Sequence, residues 1–62
     1  MIANFYHVVH YDYKHAKLIA SKNLECIPEK GTFIMLSGQL FVINRAHLNL
    51  DKCEYNFYIV RA

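Results

Sequence analysis

Tryptophan is absent from these 62 residues, proline occurs once and glycine only twice. A phosphate-cradling loop needs several glycines close together, and Gly31 and Gly38 stand alone, so none is encoded. Cysteine is equally scarce. Cys26 and Cys53 fall short of the roughly four or more that a small secreted disulfide scaffold carries. Neither sign of charge dominates: seven Lys and Arg face five Asp and Glu, for a formal charge of +2. Lys14, Lys17, Lys22, Lys30, Arg45, Lys52 and Arg61 are interleaved with Asp12, Glu25, Glu29, Asp51 and Glu54, so no polybasic anchor or nucleic-acid tail is present. No apolar run approaches the ~20 residues of a membrane-spanning helix. The opening "MIANFYHVVHYDY" lacks the basic start and small-residue cleavage site of a signal peptide. Together these features predict a cytoplasmic chain with reduced thiols and no membrane segment.

Apolar residues are abundant by contrast. They make up 55 % of the chain, with five tyrosines and four phenylalanines among them. Residues 1–62 form a single domain on length alone. A domain this small buries only about 60 % of the surface its unfolded chain exposes. Part of the apolar complement therefore stays on the surface, which favours association. A homodimer is expected, with the terminal segments 2–13 and 54–61 as its contact.

The pattern along the chain is that of short strands. Residues 2–13 are β-branched and aromatic without Gly or Pro, and their odd positions, Ala3, Phe5, His7, Val9, Tyr11 and Tyr13, form the more apolar face. Residues 14–24 fit either a strand or a short helix. Pro28, which excludes Ile27 from the helical region, favours a strand with Ala16, Leu18, Ala20, Leu24 and Cys26 on one face. Pro28-Glu29-Lys30-Gly31 suits a type I turn. "TFIML" then reads as a strand and Ser37-Gly38 as a two-residue hairpin turn. "QLFVINRA" returns with Leu40, Val42 and Asn44 on one face and Phe41, Ile43 and Arg45 on the other. Asn49, Asp51 and Lys52 supply the next turn, and "EYNFYIVRA" closes as a last strand. Repeats, linkers and low-complexity tracts are not expected. The predicted fold is mainly β: a small antiparallel curled sheet or an SH3-like or OB-like barrel of four to five strands, with room for one short helix. Its core is expected from Phe33, Ile34, Leu36, Leu40, Val42, Phe57 and Ile59.

The Pro-x-x-Gly turn, apolar strand, tight turn, aromatic-containing strand, Leu-Asp turn and Tyr-rich final strand occupy residues 27–60. In this order they resemble a pattern common in small phage-encoded accessory proteins, with Thr32 standing where that pattern more usually carries Asp. The resemblance covers about half the chain. It implies a viral accessory protein acting in the host cytoplasm and leaves its target open.

Four histidines invite a metal reading, but Cys26 and Cys53 each lack a nearby cysteine partner, and His7 and His10 fall on opposite faces of a strand. Neither metal nor cofactor is expected, and the two cysteines read as small core residues. Cys53 and His47 lack the third group that orients a nucleophile and base, so catalysis is not expected. The tyrosines with Lys14, Lys17, Arg45 and Arg61 could form a base-stacking platform, which makes nucleic-acid binding the alternative function. Modest net charge disfavours it, because backbone binding draws on many cations. The leading expectation is a protein-binding module that inhibits or modulates a host enzyme or defence complex stoichiometrically. Its partner-binding residues are expected at strand ends and loops: Tyr11, Tyr13, His15, Lys17, Arg45 and His47.

Overall fold

The computed structural model describes residues 1–62. It contains β1 (Ile2–His7), a 3-10 turn (Tyr13–His15), β2 (Lys17–Asn23), β3 (Phe33–Leu36), β4 (Gln39–Asn49) and β5 (Glu54–Arg61). All five strands join one curled sheet in the order β2-β1-β5-β4-β3. The mainly β fold is as the sequence predicts, with one correction: the sheet is mixed rather than wholly antiparallel, because β1 and β5 run parallel. Of the two expected shapes, a curled sheet or a barrel, the curled sheet is the one formed, a half-barrel with β2 and β3 as its edges. No helix is long and apolar enough to cross a membrane.

The parallel pair occupies the middle of the sheet. Ile2–His7 and Glu54–Ile59 align residue for residue, which sets Asn4-Phe5-Tyr6 beside Asn56-Phe57-Tyr58. The same tripeptide thus occurs twice in the chain, a short repeat that the strand-by-strand reading overlooked. In-register parallel pairing stacks like on like. The Phe5 and Phe57 rings lie 5.2 Å apart and 17° from parallel on one face, and Tyr6 and Tyr58 lie 5.4 Å apart and 22° from parallel on the other. Both terminal strands are consequently interior to the sheet. Their edges are already paired, so they cannot supply the strand-edge dimer contact expected of them.

The first strand is shorter than its composition suggests. It ends at His7, Val8 N adds one further bond to Ile59 O (2.9 Å), and His10 and Tyr11 then adopt φ of 54° and 58°. Side-chain type favours continued extension over 8–13, but the chain must reverse there to lay β2 antiparallel against β1. Residues 17–23 are a strand, which decides the ambiguity of 14–24. Its expected single face is broken, because an irregularity opposite Phe5 and Tyr6 pairs them with Ala20 and Leu18 and leaves Ile19 over.

The turn before β3 lies one residue later than predicted. Thr32 N bonds to Glu29 O at 3.1 Å, so Gly31, at φ 92°, takes the third position that a type II turn reserves for glycine. Ser37-Gly38 forms the predicted hairpin turn between β3 and β4. Both residues have positive φ, 51° and 77°, the signature of type I′ and a good match to strand twist. A second bulge between Ile43 and Arg45 overturns the faces read for β4. Arg45 pairs with Tyr58 and lies opposite to Phe41 and Ile43 rather than beside them.

The core follows from these registers. Ala3, Phe5, Phe41, Ile43, Phe57 and Ile59 form one buried cluster, with Ala20, Leu24, Ile34, Leu36 and Tyr55 packed partly against it. Of the seven residues expected in the core, only Phe57 and Ile59 are fully buried, while Phe33 is 64 % exposed and Leu40 46 %. Hairpin alternation turns Ile34 and Phe41 inward together, leaving their neighbours Phe33 and Leu40 outside. Cys26 and Cys53 are both exposed, contrary to the expected core role.

Paired substitutions test this reassignment. A fully buried Phe→Ala change costs about 3–5 kcal/mol, comparable with the whole stability of roughly 3–9 kcal/mol expected for a domain of this length. Phe57→Ala should therefore abolish most cooperative unfolding in a urea or thermal titration followed by circular dichroism. Phe33→Ala should change stability by only about 0.5 kcal/mol. Equal losses for the two would contradict the assignment.

Candidate functional site

Strand alternation sends the residues flanking Phe5 and Phe57 to the face opposite the core. Asn4 and Tyr6 of β1, Asn56 and Tyr58 of β5, and Arg45 and His47 of β4 share that outer face, paired as Asn4 with Asn56, Tyr6 with Tyr58, Arg45 with Tyr58 and His47 with Asn56. The β4 bulge is what places Arg45 and His47 there. Without it both would turn to the inner face, opposite Phe57 and Tyr55.

Two linked arrays cover the face. The polar one starts at the Ser21 hydroxyl, which donates to Asn4 Oδ1 at 2.7 Å. Asn4 Nδ2 donates in turn to Glu54 Oε2 and Asn56 Oδ1, each at 3.0 Å. Asn56 Nδ2 then approaches His47 Nε2 at 3.2 Å, which places a neutral ring's proton on Nδ1. Every amide orientation in this row is therefore fixed by its neighbour. Cross-strand pairs of this kind order the surface as well as the sheet.

The aromatic array centres on Tyr58. Tyr6 stacks on it, His47 tilts against it at 5.6 Å and Tyr13 meets it edge-on at 5.6 Å. Tyr13 arrives from the 3-10 turn, so the connection between β1 and β2 reaches across β5 towards β4. It is held there by the Asn44 side-chain amide, which donates to the Tyr13 hydroxyl. The Arg45 guanidinium carbon lies 4.1 Å from the centre of the Tyr13 ring, a cation–π arrangement. Tyr6, Tyr13 and Tyr58 are half-buried, whereas Arg45 and His47 are exposed. What this face offers is a cation, an imidazole, amide donors and acceptors, and apolar ring edges in a fixed layout.

Of the six residues expected to bind a partner, the fold gathers Tyr13, Arg45 and His47. Tyr11, His15 and Lys17 lie apart from them. Tyr11 is 67 % exposed and helps to line a separate depression with Val8, Val9, His10 and Val60. His15 pairs with its own neighbour Asp12, Nδ1 to Oδ2 at 2.7 Å. That hydrogen bond, more than the Coulomb attraction, lowers the Asp12 carboxyl below its ordinary 3.8. Lys17 lies on the edge strand β2, across from His7. Asn4, Asn56 and Ser21 were missed, and Tyr6 and Tyr58 entered only through the alternative base-stacking platform. The repeated Asn-Phe-Tyr was the available signal for four of them, since two identical tripeptides in strands that pair in parallel bring like residues together.

No group of three or more His, Cys, Asp or Glu side chains converges on a possible metal position. Comparisons with protein-family models, curated proteins and solved structures give no match.

The Tyr58 ring supports three neighbouring rings, while its hydroxyl has no hydrogen-bond partner within the protein. Tyr58→Phe should thus alter stability by less than about 0.5 kcal/mol, and Tyr58→Ala should cost about 2 kcal/mol, at roughly 0.5–1.5 kcal/mol for each lost aromatic pair. In the Ala variant the Tyr13 ring resonances should also move towards random-coil positions. Retention of the native Tyr13 shifts would show that Tyr58 does not position it.

Proposed function

We propose that the chain is a non-catalytic protein-binding module, acting stoichiometrically as an inhibitor or modulator of a partner enzyme or complex. The observation that carries this reading is the Tyr13–Arg45–His47–Tyr58 cluster, held in place on an open sheet face. Tyr and Arg are the side chains most often found as interface anchors, and they bind most effectively when little freedom is lost on association. Here Asn44 and Tyr58 restrict Tyr13, and Tyr13 in turn restricts Arg45. An amide rather than a carboxylate meets His47 Nε2, which supports a binding role for this imidazole over that of a base. A phage accessory role in a host cytoplasm, directed at a host enzyme or defence complex, is the setting suggested by the resemblance of residues 27–60.

A second reading has one observation in its favour. An arginine over a tyrosine, beside two further tyrosines, is also how single-stranded nucleic acid is gripped. Against it, the three tyrosines already lean on one another, so free ring faces are few.

One experiment separates the two. Immobilised wild-type chain and the Tyr13→Ala/Arg45→Ala double variant are compared for retention of proteins from a bacterial host lysate, with and without nuclease. The expected result is a stoichiometric protein band that survives nuclease and is lost in the double variant, whose circular dichroism remains native. Truncating a central anchor typically costs about 2 kcal/mol or more, roughly a thirtyfold loss in affinity. Equal retention by both chains would place the function elsewhere, and retention of nucleic acid alone would support the second reading.

A further inference from the structure

The core side of the half-barrel is open along the seam between its two edge strands. An apolar groove of about 430 Å³ lies there, lined by Phe5, Leu24, Ile27, Pro28, Ile34 and Leu36, with Lys22, Cys26 and Met35 completing the wall. It is distinct from the tyrosine face, which lies on the other side of the sheet. β2 is hydrogen-bonded only to β1, and β3 only to β4, so each presents an unpaired backbone edge. Lys22 is the one charged residue in the lining. It is set inward by its pairing with Ala3 and takes part in no ion pair, the only one in the protein being His15 with Asp12. Glu25 and Glu29 stand on the same connection, but neither lines the groove.

We propose that this seam receives an extended segment of a partner protein, added as a sixth strand, with apolar side chains on one face and an acidic side chain on that same face. The inference rests on the protein-binding reading above but assigns a different surface. Three features define the occupant. Unpaired edges call for a backbone that can pair, which is how strand addition achieves affinity. The apolar lining calls for alternating apolar residues, because side chains two apart share a strand face. The Lys22 ammonium, exposed at the groove wall and met by no carboxylate of the chain, calls for a carboxylate in the occupant. Edge strand β2 carries blunting devices in Lys17, Lys22 and the bulge at Ile19, yet Ala20–Asn23 keep an unpaired backbone edge.

The test uses the full chain and synthetic peptides of sequence Thr-Val-Thr-Ile-Thr-Xaa-Thr-Val-Thr, with Glu, Gln or Lys at the sixth position, and a Glu version with proline at positions three and five. Binding is followed by peptide-induced amide shifts and by the alkylation rate of Cys26, which lines the groove, against Cys53, which lies outside it. The Glu peptide should bind saturably, slow Cys26 alkylation and leave Cys53 unchanged. It should bind about fivefold tighter than the Lys peptide, and Lys22→Glu should reverse that order. The proline peptide should not bind. Amide shifts should fall on β2 and β3 and persist in Tyr13→Ala/Arg45→Ala, so failure at this seam is separable from failure of the tyrosine face. Three results would overturn the proposal: no saturable binding by any peptide, affinity indifferent to the sixth residue and to Lys22→Glu, or a peptide-free dimer in which Cys26 is already protected. The last would assign the seam to a second copy of the chain.

Discussion

Asn4, Phe5 and Tyr6 lie in register beside Asn56, Phe57 and Tyr58, and this parallel pair joins two ends of the chain separated by 52 positions. Without it the sheet divides into a two-stranded β1–β2 hairpin and a three-stranded β3–β4–β5 unit. β1 carries β2 on its outer side, and β5 carries β4 and, through it, β3. Like stacks on like at three successive positions: the hydrogen-bonded amides and the tyrosines on the outer face, the phenylalanines within the core. Parallel strands are normally covered on both faces. The small core covers one side here, and the connection that brings Tyr13 over Tyr58 covers part of the other, where Val8 is buried away from the main cluster.

The same tripeptides therefore build the fold and the candidate site. Phe5 and Phe57 face inward with Ile43 and Ile59, while the residues flanking each of them in sequence supply the amide and tyrosine of the candidate face. A substitution in one function is felt in the other, because alternate residues of one strand are fixed by a single register. The β4 bulge separates the two roles on the neighbouring strand, letting Ile43 and Arg45 serve opposite faces despite sharing parity. The half-barrel left by five strands exposes apolar groups at both edges, Leu18 and Ile19 on β2 and Phe33 and Met35 on β3. Surface of that kind on an unclosed sheet favours association through the edges.

What could be read in the sequence was whatever a local rule dictates. Ser37-Gly38 was legible because a tight hairpin demands two residues tolerant of positive φ. The final strand was legible from the dense alternation of Tyr55 to Val60, and the interior side of β1 from the apolar Ala3 and Phe5. Bulges hid the rest. The extra residues Ile19 and Asn44 reverse parity within otherwise regular strands, so faces assigned by counting were wrong beyond them. Val9, His10 and Tyr11 have strand-like side chains but sit in a reversal that only the position of β2 requires. Half of the expected binding residues converge, and they do so for a reason local rules do not contain: Tyr13 is carried across β5 by a loop, to meet residues of a strand thirty positions away in sequence. Long-range pairing decides that placement, and the repeated Asn-Phe-Tyr was its one visible trace.

Native-state hydrogen exchange followed by NMR tests most directly the claim that the parallel pair holds the rest together. Amides exchange through openings whose free energies range from near zero at frayed segments to the global stability in the last unit to open. If the account is right, the most protected amides are those bonded between β1 and β5, around Phe5, Tyr6, Phe57 and Tyr58. β2 and β3 should exchange earlier, through partial openings that leave the central pair closed. A β3–β4 hairpin that outlasts β1 and β5, or uniform protection across all five strands, would contradict it.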